Sequence, residues 1–327
     1  DDVNDFFRTG ATFNNSISVS GGTETVRTYF SYANSYSDGM MRNNNYKRNT
    51  LSFRQSYSLF NKKLNVDLSL NYVQAKTKNR PGGGTVMNPL YDLYRMPRNV
   101  DLNYYKENYY IENGKWTSNE QSYFDSKNNK WTTGTVELTG PKQEWAYWQN
   151  GMNNPYWMVN TRNSISEEER AYGYISANYQ IIDGLKIQGR LSLDRTKMKG
   201  TSERMATTWN ISAMEDYGMY GQDLNWINEV YVDALLSYDK QIKDFSISAT
   251  TGWTGHTLKG ETQKLWAKAT TANWKHDTMP TLINFFEPSV SQGNVSERSY
   301  TLSSNWDKGL LFTGQIGWQE KVYLEGS

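Results

Sequence analysis

Few residues in this 327-residue sequence have the type and spacing that catalysis or metal binding requires. The two histidines, His256 and His276, lack a metal-ligand spacing such as HExxH, and we interpret both as surface residues. Glu167–Glu169 could supply a glycosidase carboxylate pair, but three adjacent acids at the start of a strand are more typical of a solvated rim. Gly82–Gly84 follows Pro81 and indicates a flexible loop, not a phosphate-binding loop. The sequence therefore predicts no catalytic residue, no metal, no cofactor and no enzyme activity.

The segment from about residue 78 to 169 is rich in tryptophan and tyrosine. Loops of this length are usually functional or disordered, and the aromatic content argues against disorder. Aromatic faces beside amide and charged groups can stack on sugar rings or hold peptides. The alternative, which stays open, is that these side chains form the core of the loop or pack on a partner. The candidates for contact with substrate or partner are Trp116, Trp131, Trp145, Tyr147, Trp148 and Trp157.

The elements that must position this loop are β-strands, because apolar and polar residues alternate over long stretches. The clearest stretches are 64–72, 185–194 and 245–253, close to the roughly 9–11 residues of a tilted membrane-spanning strand. Successive side chains point to opposite faces of a strand. The face predicted to contact lipid carries Leu64, Val66, Leu68, Leu70, Ile187, Leu191 and Ile247. The opposite face, predicted to contact a plug or line the lumen, carries Asp67, Lys186, Arg190, Asp194 and Asp233.

Weaker alternation predicts the remaining strands, about ten in all, at 12–20, 25–36, 46–60, 170–182, 228–241, 308–318 and from Val322 onward. The connections alternate between two classes. The short ones are Gly21–Glu24, Asn61–Lys63, Asp183–Gly184, Lys240–Asp244 and Gln319–Lys321, and the long ones are 37–45, 78–169, 199–227 and 258–307. Short periplasmic turns and long extracellular loops are typical of an antiparallel transmembrane β-barrel. An aromatic girdle at the lipid boundary is predicted at Tyr72, Tyr179, Tyr238, Trp253 and Trp318.

The composition narrows the possible partners. A net charge of +1, with basic and acidic residues scattered, provides no concentrated positive field for nucleic acid. The absence of cysteine excludes disulfides and thiolate metal sites. No run approaches the ~18 apolar residues of a spanning helix, and no signal sequence opens the chain. We therefore expect a chain that is cytosolic, already processed or cut from a longer one.

A set of short motifs, in order along the chain, resembles the early barrel of SusC/RagA-type TonB-dependent transporters. Each motif is weak by itself, and the specificity comes from their order over nearly the whole chain. The motifs are Asn4–Gly10 (NDFFRTG), Asn15–Gly22 (NSISVSGG), Gly39–Arg48, Asn154–Trp157 (NPYW), Ala171–Asp194 and Tyr323–Ser327.

The resemblance implies a barrel of about 22 strands with an N-terminal plug that carries the segment engaging TonB. About ten strands and no plug are present, so we expect residues 1–327 to be an internal part of one barrel domain. Unpaired strand edges are costly in lipid, and this piece is not expected to fold alone. A mature protein of only 38 kDa would contradict this expectation.

The resemblance further implies an importer in the bacterial outer membrane. It would take up oligosaccharides or peptides with TonB-transmitted energy, beside a SusD-like surface lipoprotein. Two alternatives stay open at this stage. One is a passive porin, and the other is a secreted all-β protein that binds glycans.

Overall fold

The computed structural model describes residues 2–82, 87–125, 127–146, 151–210, 213–215, 218–268, 295–319 and 321–327. The chain is all-β and is built on one antiparallel sheet of ten strands. The strands are β1 Ala11–Gly22, β2 Val26–Asp38, β3 Asn45–Leu59, β4 Leu64–Lys78, β5 Tyr110–Asp125, β6 Lys130–Gln143, β7 Asn163–Ile182, β8 Leu185–Arg204, β9 Thr208–Asn210, β10 Ala213–Glu215, β11 Met219–Ile242, β12 Phe245–Lys268, β13 Val295–Trp318 and β14 Val322–Gly326. The helices are a 3-10 turn at Val3–Phe6, α1 Pro89–Arg95, α2 Leu102–Glu107 and α3 Pro155–Thr161.

The order of the large sheet is β1-β2-β3-β4-β7-β8-β11-β12-β13-β14, so each strand pairs with its nearest sheet neighbour along the chain. Short turns follow Gly22, Leu59, Ile182, Ile242 and Trp318, and all lie at the same end of the strands, which we call the turn rim. Gly184 in one of these turns has a φ of +83°, which glycine adopts without strain. The longer connections lie at the opposite end of the strands, which we call the loop rim. The predicted all-β fold, its ten antiparallel strands and its two kinds of connection are therefore confirmed.

Several strands extend further toward the loop rim than the alternation predicts. β7 begins at Asn163 instead of 170, and β8 ends at Arg204 instead of 194. The predicted loop bounds 199–227 and 258–307 are wrong for the same reason, since β11, β12 and β13 continue into them. The extensions of β7 and β8 are mostly polar on both faces, so the backbone ladder continues there after the apolar signal has ended. In the extension of β13, Tyr300, Leu302 and Trp306 still alternate with polar residues.

The long connection between β4 and β7 contains defined structure and not a plain loop. It comprises α1, α2, the hairpin of β5 and β6, and α3. Two of its helices begin with an Asn-Pro pair, and in each the Asn side chain caps a backbone N–H: Asn88 Oδ1 accepts from Leu90 and Asn154 Oδ1 from Tyr156. Among the described residues, no helix is long and apolar enough to cross a membrane.

Apolar side chains of this connection pack into a small core, the loop core, which consists of Phe6, Met41, Leu93, Leu102, Tyr156 and Val159 with a neighbouring cluster of Val100, Trp145 and Met152. The rings of Phe6 and Tyr156 meet edge to face with centroids 5.1 Å apart. The loop core therefore joins the segment before β1 to α1, α2 and α3. It resembles the interior of a soluble domain in composition and burial.

Candidate functional site

The register of the large sheet divides its side chains between two faces, because directly paired residues lie on the same face. Leu70 pairs with Phe53 and Gly173, and Ile187 pairs with Tyr179 and Leu236. Extended over the ten strands, this register produces one continuous apolar face. All seven residues predicted to contact lipid lie on it: Leu64, Val66, Leu68, Leu70, Ile187, Leu191 and Ile247.

Large side chains of the apolar face are exposed, including Leu70, Leu193 and Leu310, which is 87% accessible. The five predicted girdle residues, Tyr72, Tyr179, Tyr238, Trp253 and Trp318, share this face. Contact of these residues with lipid stays a prediction. The opposite face, the polar face, carries all five predicted lumen residues: Asp67, Lys186, Arg190, Asp194 and Asp233.

One ion-pair cluster of the polar face is centred on Asp233, which is almost fully buried. Arg190 donates from Nε to Asp233 Oδ2 at 2.8 Å, and Gln188 donates to Oδ1 at 3.3 Å. The Arg190 guanidinium also lies over the ring of Tyr231, 5.3 Å from its centroid. The cluster therefore joins β8 to β11 and fixes the Arg190 side chain on the polar face.

A second cluster lies nearer the loop rim. Arg170 donates from Nε to both oxygens of Asp194, at 3.0 and 3.1 Å, and lies over the ring of Tyr172. On the adjacent strands, His256 Nε2 lies 2.7 Å from Glu229 Oε1 and its Nδ1 lies 3.7 Å from Asp307. Lys186 and Asp67 lie apart from both clusters, and Asp67 accepts from the Ser56 hydroxyl at 2.6 Å. The polar face thus presents paired charges and tyrosine rings suited to polar contacts with a protein surface or a hydrated solute.

The predicted aromatic contact residues occupy buried positions where the structure describes their side chains. Trp116, Trp145 and Trp157 are 3%, 2% and 1% exposed. Trp131 lies in β6, and Tyr147 and Trp148 lie outside the described residues. Because they are buried, these three side chains pack inside the loop connection, which agrees with the alternative that the aromatic residues form the core of the loop. Their contact with substrate or partner stays an untested prediction.

A buried polar network below the loop core was missed by sequence reasoning. The Gln143 side chain donates to the Thr207 carbonyl and accepts from Asn154 N–H at 3.0 Å. Asn153 Oδ1 accepts from Trp209 N–H at 2.8 Å, and Trp157 Nε1 donates to Thr208 at 2.9 Å. These bonds join the β4–β7 connection to the β8–β11 connection. The only sequence signal was the Asn154-Pro155 helix start, which marks one end of the network.

Asp92 of α1 is a buried carboxyl beside this network. Its Oδ2 accepts from the backbone N–H of Asn153 at 3.1 Å. Burial raises the pKa of Asp92 to about 6, and the hydrogen bond from Asn153 offsets only part of that rise. In the part of the chain that the structure describes, no cluster of three or more acidic or histidine side chains is placed to hold a metal ion.

No protein-family model matches the chain, and no curated protein does. Solved structures of the RagAB peptide importer are similar to it. The "open-open" state aligns with a TM-score of 0.67 at 17% identity, over 99% of this chain and 32% of that chain. The "closed-closed" state aligns at 0.64 with the same identity and coverage. Another structure of the RagAB peptide transporter aligns at 0.62 with 16% identity, over 96% and 31%.

The chain thus spans about a third of the length of the RagAB chains to which it is similar. At this identity the likeness concerns the fold. The resemblance to SusC/RagA-type transporters that the sequence motifs indicated is therefore confirmed at the level of the fold, and the chain has the antiparallel β-structure of part of such a transporter.

Proposed function

We propose that the chain forms part of the barrel wall of an active importer in the bacterial outer membrane. The observation that carries this proposal is the continuous apolar face of the ten-stranded sheet. Exposing a large aliphatic or aromatic side chain to water forfeits roughly 1.5–3 kcal/mol each, and this face exposes many of them. Hydrocarbon is the solvent in which such a face is stable. In hydrocarbon every backbone N–H and C=O group must also be hydrogen-bonded within the protein, and the pairing of the strands provides these bonds.

The proposed cargo is a peptide or an oligosaccharide, and the proposed energy source is TonB acting on a plug that precedes the barrel. Residues 1–327 would then belong to a single barrel domain. The similar solved structures are of a peptide transporter, which favours peptide over oligosaccharide. A SusD-like lipoprotein is the proposed partner at the loop rim. No catalytic step is part of the proposal.

The two structured regions would have separate tasks in this importer. The polar face would contact the plug or the hydrated cargo through the Arg190–Asp233 and Arg170–Asp194 clusters. The β5–β6 hairpin and the helices would form the surface that meets the lipoprotein and the incoming cargo. The loop core and the buried network would hold that surface in one arrangement on the sheet.

Site-directed spin labels on the complete transporter in lipid vesicles test the placement in the membrane. We expect labels at Val66, Leu68, Ile187 and Leu191 to be relaxed by oxygen dissolved in lipid and shielded from a water-soluble nickel chelate. Labels at Ser69 and Ser192, on the polar face of the same strands, are the matched controls and should not contact lipid. Nickel access to the first set, without oxygen access, would refute the proposal and favour a secreted protein.

Uptake by intact cells tests energy coupling. Import of a labelled peptide or oligosaccharide pool should stop when the proton-motive force is dissipated or TonB is deleted. Import that continues unchanged would identify a passive porin. Co-purification of a surface lipoprotein from native membranes checks the proposed partner independently.

A further inference from the structure

Toward the loop rim, the apolar face changes abruptly into a charged surface. On the same face, β4 proceeds from Tyr72 to Lys76 and β8 from Leu193 through Arg195 to Lys199. We call this surface the charged belt. It comprises Lys47, Lys76, Glu167, Glu169, Arg195, Lys197, Lys199, Lys259 and Glu261, with a net charge of +3.

The belt is continuous with an apolar groove in the sheet surface. The groove has a volume of about 980 Å³, and its lining includes Leu70, Gly173, Ile175, Leu191 and Leu193, with Arg195 and Lys259 at its upper end. An adjoining depression of about 600 Å³ shares Tyr72, Ala171 and Arg195 with the groove, and its lining adds Lys197, Trp226, Glu169 and Glu261. A third, of about 410 Å³, is lined by Lys47, Lys76, Lys197 and Lys199 together with Glu167, Glu168 and Glu169. The three depressions run from apolar surroundings to charged ones in which basic and acidic side chains are mixed.

Small residues of β7 form the floor of the groove. On the apolar face, Gly173 lies between Leu70 and Leu193, and Ala171 lies between Tyr72 and Arg195. A Cβ on Gly173 would lie 2.1 Å from the carbonyl oxygen of Ser69, so the close approach of β4 to β7 requires glycine there. The groove is therefore built into the pairing of these strands and does not depend on a side-chain rotamer.

Three glutamates of the belt offset half of its positive charge, and a net charge of +3 remains. Lys76 pairs with Glu167 at 2.7 Å. Within the described ranges, Lys47, Lys197 and Lys199 form no ion pair within 4 Å. Arg195 donates from Nε to Asn228 at 2.7 Å, and its terminal nitrogens form no ion pair with the described residues. At the turn rim the same face carries Tyr179, Leu185 and Trp318, and its Lys240 is paired with Asp183. Among the described strands, the cluster of basic side chains on this face therefore lies on the loop side.

We propose that the groove and belt bind a phosphorylated, acylated lipid of the outer leaflet. The inference rests on the proposed function, which places the apolar face in the membrane with the loop rim outward. Acyl chains would lie over Ala171 and Gly173, and the headgroup phosphate would contact Arg195, Lys197 and Lys199. Charge complementarity and continuity with the lipid-facing surface favour a lipid over a protein at this position.

Native mass spectrometry of the complete detergent-solubilised transporter, titrated with lipid A with or without its phosphate groups, tests the proposal. Basic residues near a membrane surface strengthen the binding of anionic lipid, so R195Q/K197Q/K199Q should lose affinity for phosphorylated lipid A at least about tenfold. Affinity for the dephosphorylated lipid should stay unchanged. The matched control K62Q/K63Q/K321Q removes the same charge at the turn rim and should bind like the unaltered protein.

The second variant, A171F, fills the groove and should weaken binding of both lipids. Unchanged lipid binding in either test variant would overturn the proposal, as would complete displacement of the lipid by inorganic phosphate at equal concentration. Loss of the co-purifying lipoprotein from R195Q/K197Q/K199Q, with lipid binding unchanged, would assign the belt to a protein partner and also overturn it.

Spin labels at Ile187 and Leu191 separate this inference from the proposed function. If the labels contact lipid in the unaltered protein and in R195Q/K197Q/K199Q, the wall is in the membrane and the affinity result bears on the lipid site alone. If they do not contact lipid in the unaltered protein, the proposed function fails, whatever the lipid titration shows.

Discussion

The loop connection and the large sheet use the same apolar residue types in opposite ways. In the loop connection Trp157 and Leu93 are buried by other side chains of the chain itself, whereas Leu310 and Leu193 of the sheet are exposed. The first arrangement is stable in water because the apolar surface is already covered. The second arrangement is stable only if another molecule or an apolar solvent covers the exposed side chains of the sheet. The comparison shows that amino-acid type alone does not indicate the environment, whereas register and burial together do.

Polar groups differ between the two regions in the same way. In the loop connection, Gln143 and Asn154 are buried and bonded to backbone and side-chain partners. On the polar face, charges such as Arg170 and Arg190 are paired but partly exposed. A buried amide that loses its partner costs more than an exposed one, because water replaces the lost bond only at the exposed site. Four predictions test this contrast, in descending order of expected effect.

Trp157→Ala should destabilise the loop connection by about 3–5 kcal/mol, because it leaves a large cavity and removes the bond to Thr208. Protease cleavage between residues 79 and 162 in the membrane-reconstituted transporter should accelerate, while the strands stay protected. Tyr94→Ala, at an exposed side chain of α1, is the control and should change little. Equal cleavage of both variants would contradict a buried role for Trp157.

Leu191→Arg should destabilise the sheet in the membrane by about 2–4 kcal/mol, because it places a charge on the apolar face. Urea unfolding of the complete transporter in vesicles measures the effect. Ser192→Arg changes the neighbouring residue on the polar face and should cost far less. If the two substitutions were equivalent, the assignment of the two faces to different solvents would be wrong.

Asp233→Ala should cost about 1.5–3 kcal/mol, because it removes a charge-assisted bond at a buried carboxyl and leaves Arg190 unpaired. Asp183→Ala breaks the pair with Lys240 at an exposed turn and should change the stability little, because water screens the pair. The same urea titration compares them. A larger effect at Asp183 would show that burial does not determine the strength of these pairs.

Asp92→Asn should remove a pH dependence from the loop connection. Burial raises the pKa of Asp92 from its usual 3.8 to about 6, so the folded loop binds the proton more tightly than the unfolded chain does. Loop stability should therefore fall as pH rises through this range, by about 1 kcal/mol between pH 5 and 7. Protease cleavage at the two pH values, corrected for protease activity with a peptide substrate, should differ in the unaltered protein and coincide in the variant. A persistent difference in the variant would exclude Asp92 as its source.

The sequence predicted the central parts of the strands because there one face is apolar and the other polar. At 64–72 and 185–194 this alternation identified both the strand and the face of every candidate residue. It failed where the apolar face becomes charged, as at Glu167 and Lys199, because the hydrogen-bonded ladder continues without an apolar period. The predicted strands were consequently too short at the loop rim.

The loop connection was the harder case for a different reason. Its burial depends on contacts between residues far apart in sequence, such as Phe6 with Tyr156 and Gln143 with Thr207. No local period encodes such contacts. The helix starts at Asn88-Pro89 and Asn154-Pro155 could have been read, since Asn before Pro is a capping signal. The buried tryptophans could not be distinguished from exposed ones by type alone.

The strictly sequential strand order has a consequence for biogenesis. Each hairpin adds its two strands to the edge left by its predecessor, so the sheet can be assembled from either end of the chain without threading a strand between two others. The β4–β7 connection does not interrupt this order, because β4 and β7 pair directly across it. Closing so long an excursion costs only slightly more than closing a short one. Large surface insertions can therefore diversify at the loop rim while the assembly route of the sheet stays the same.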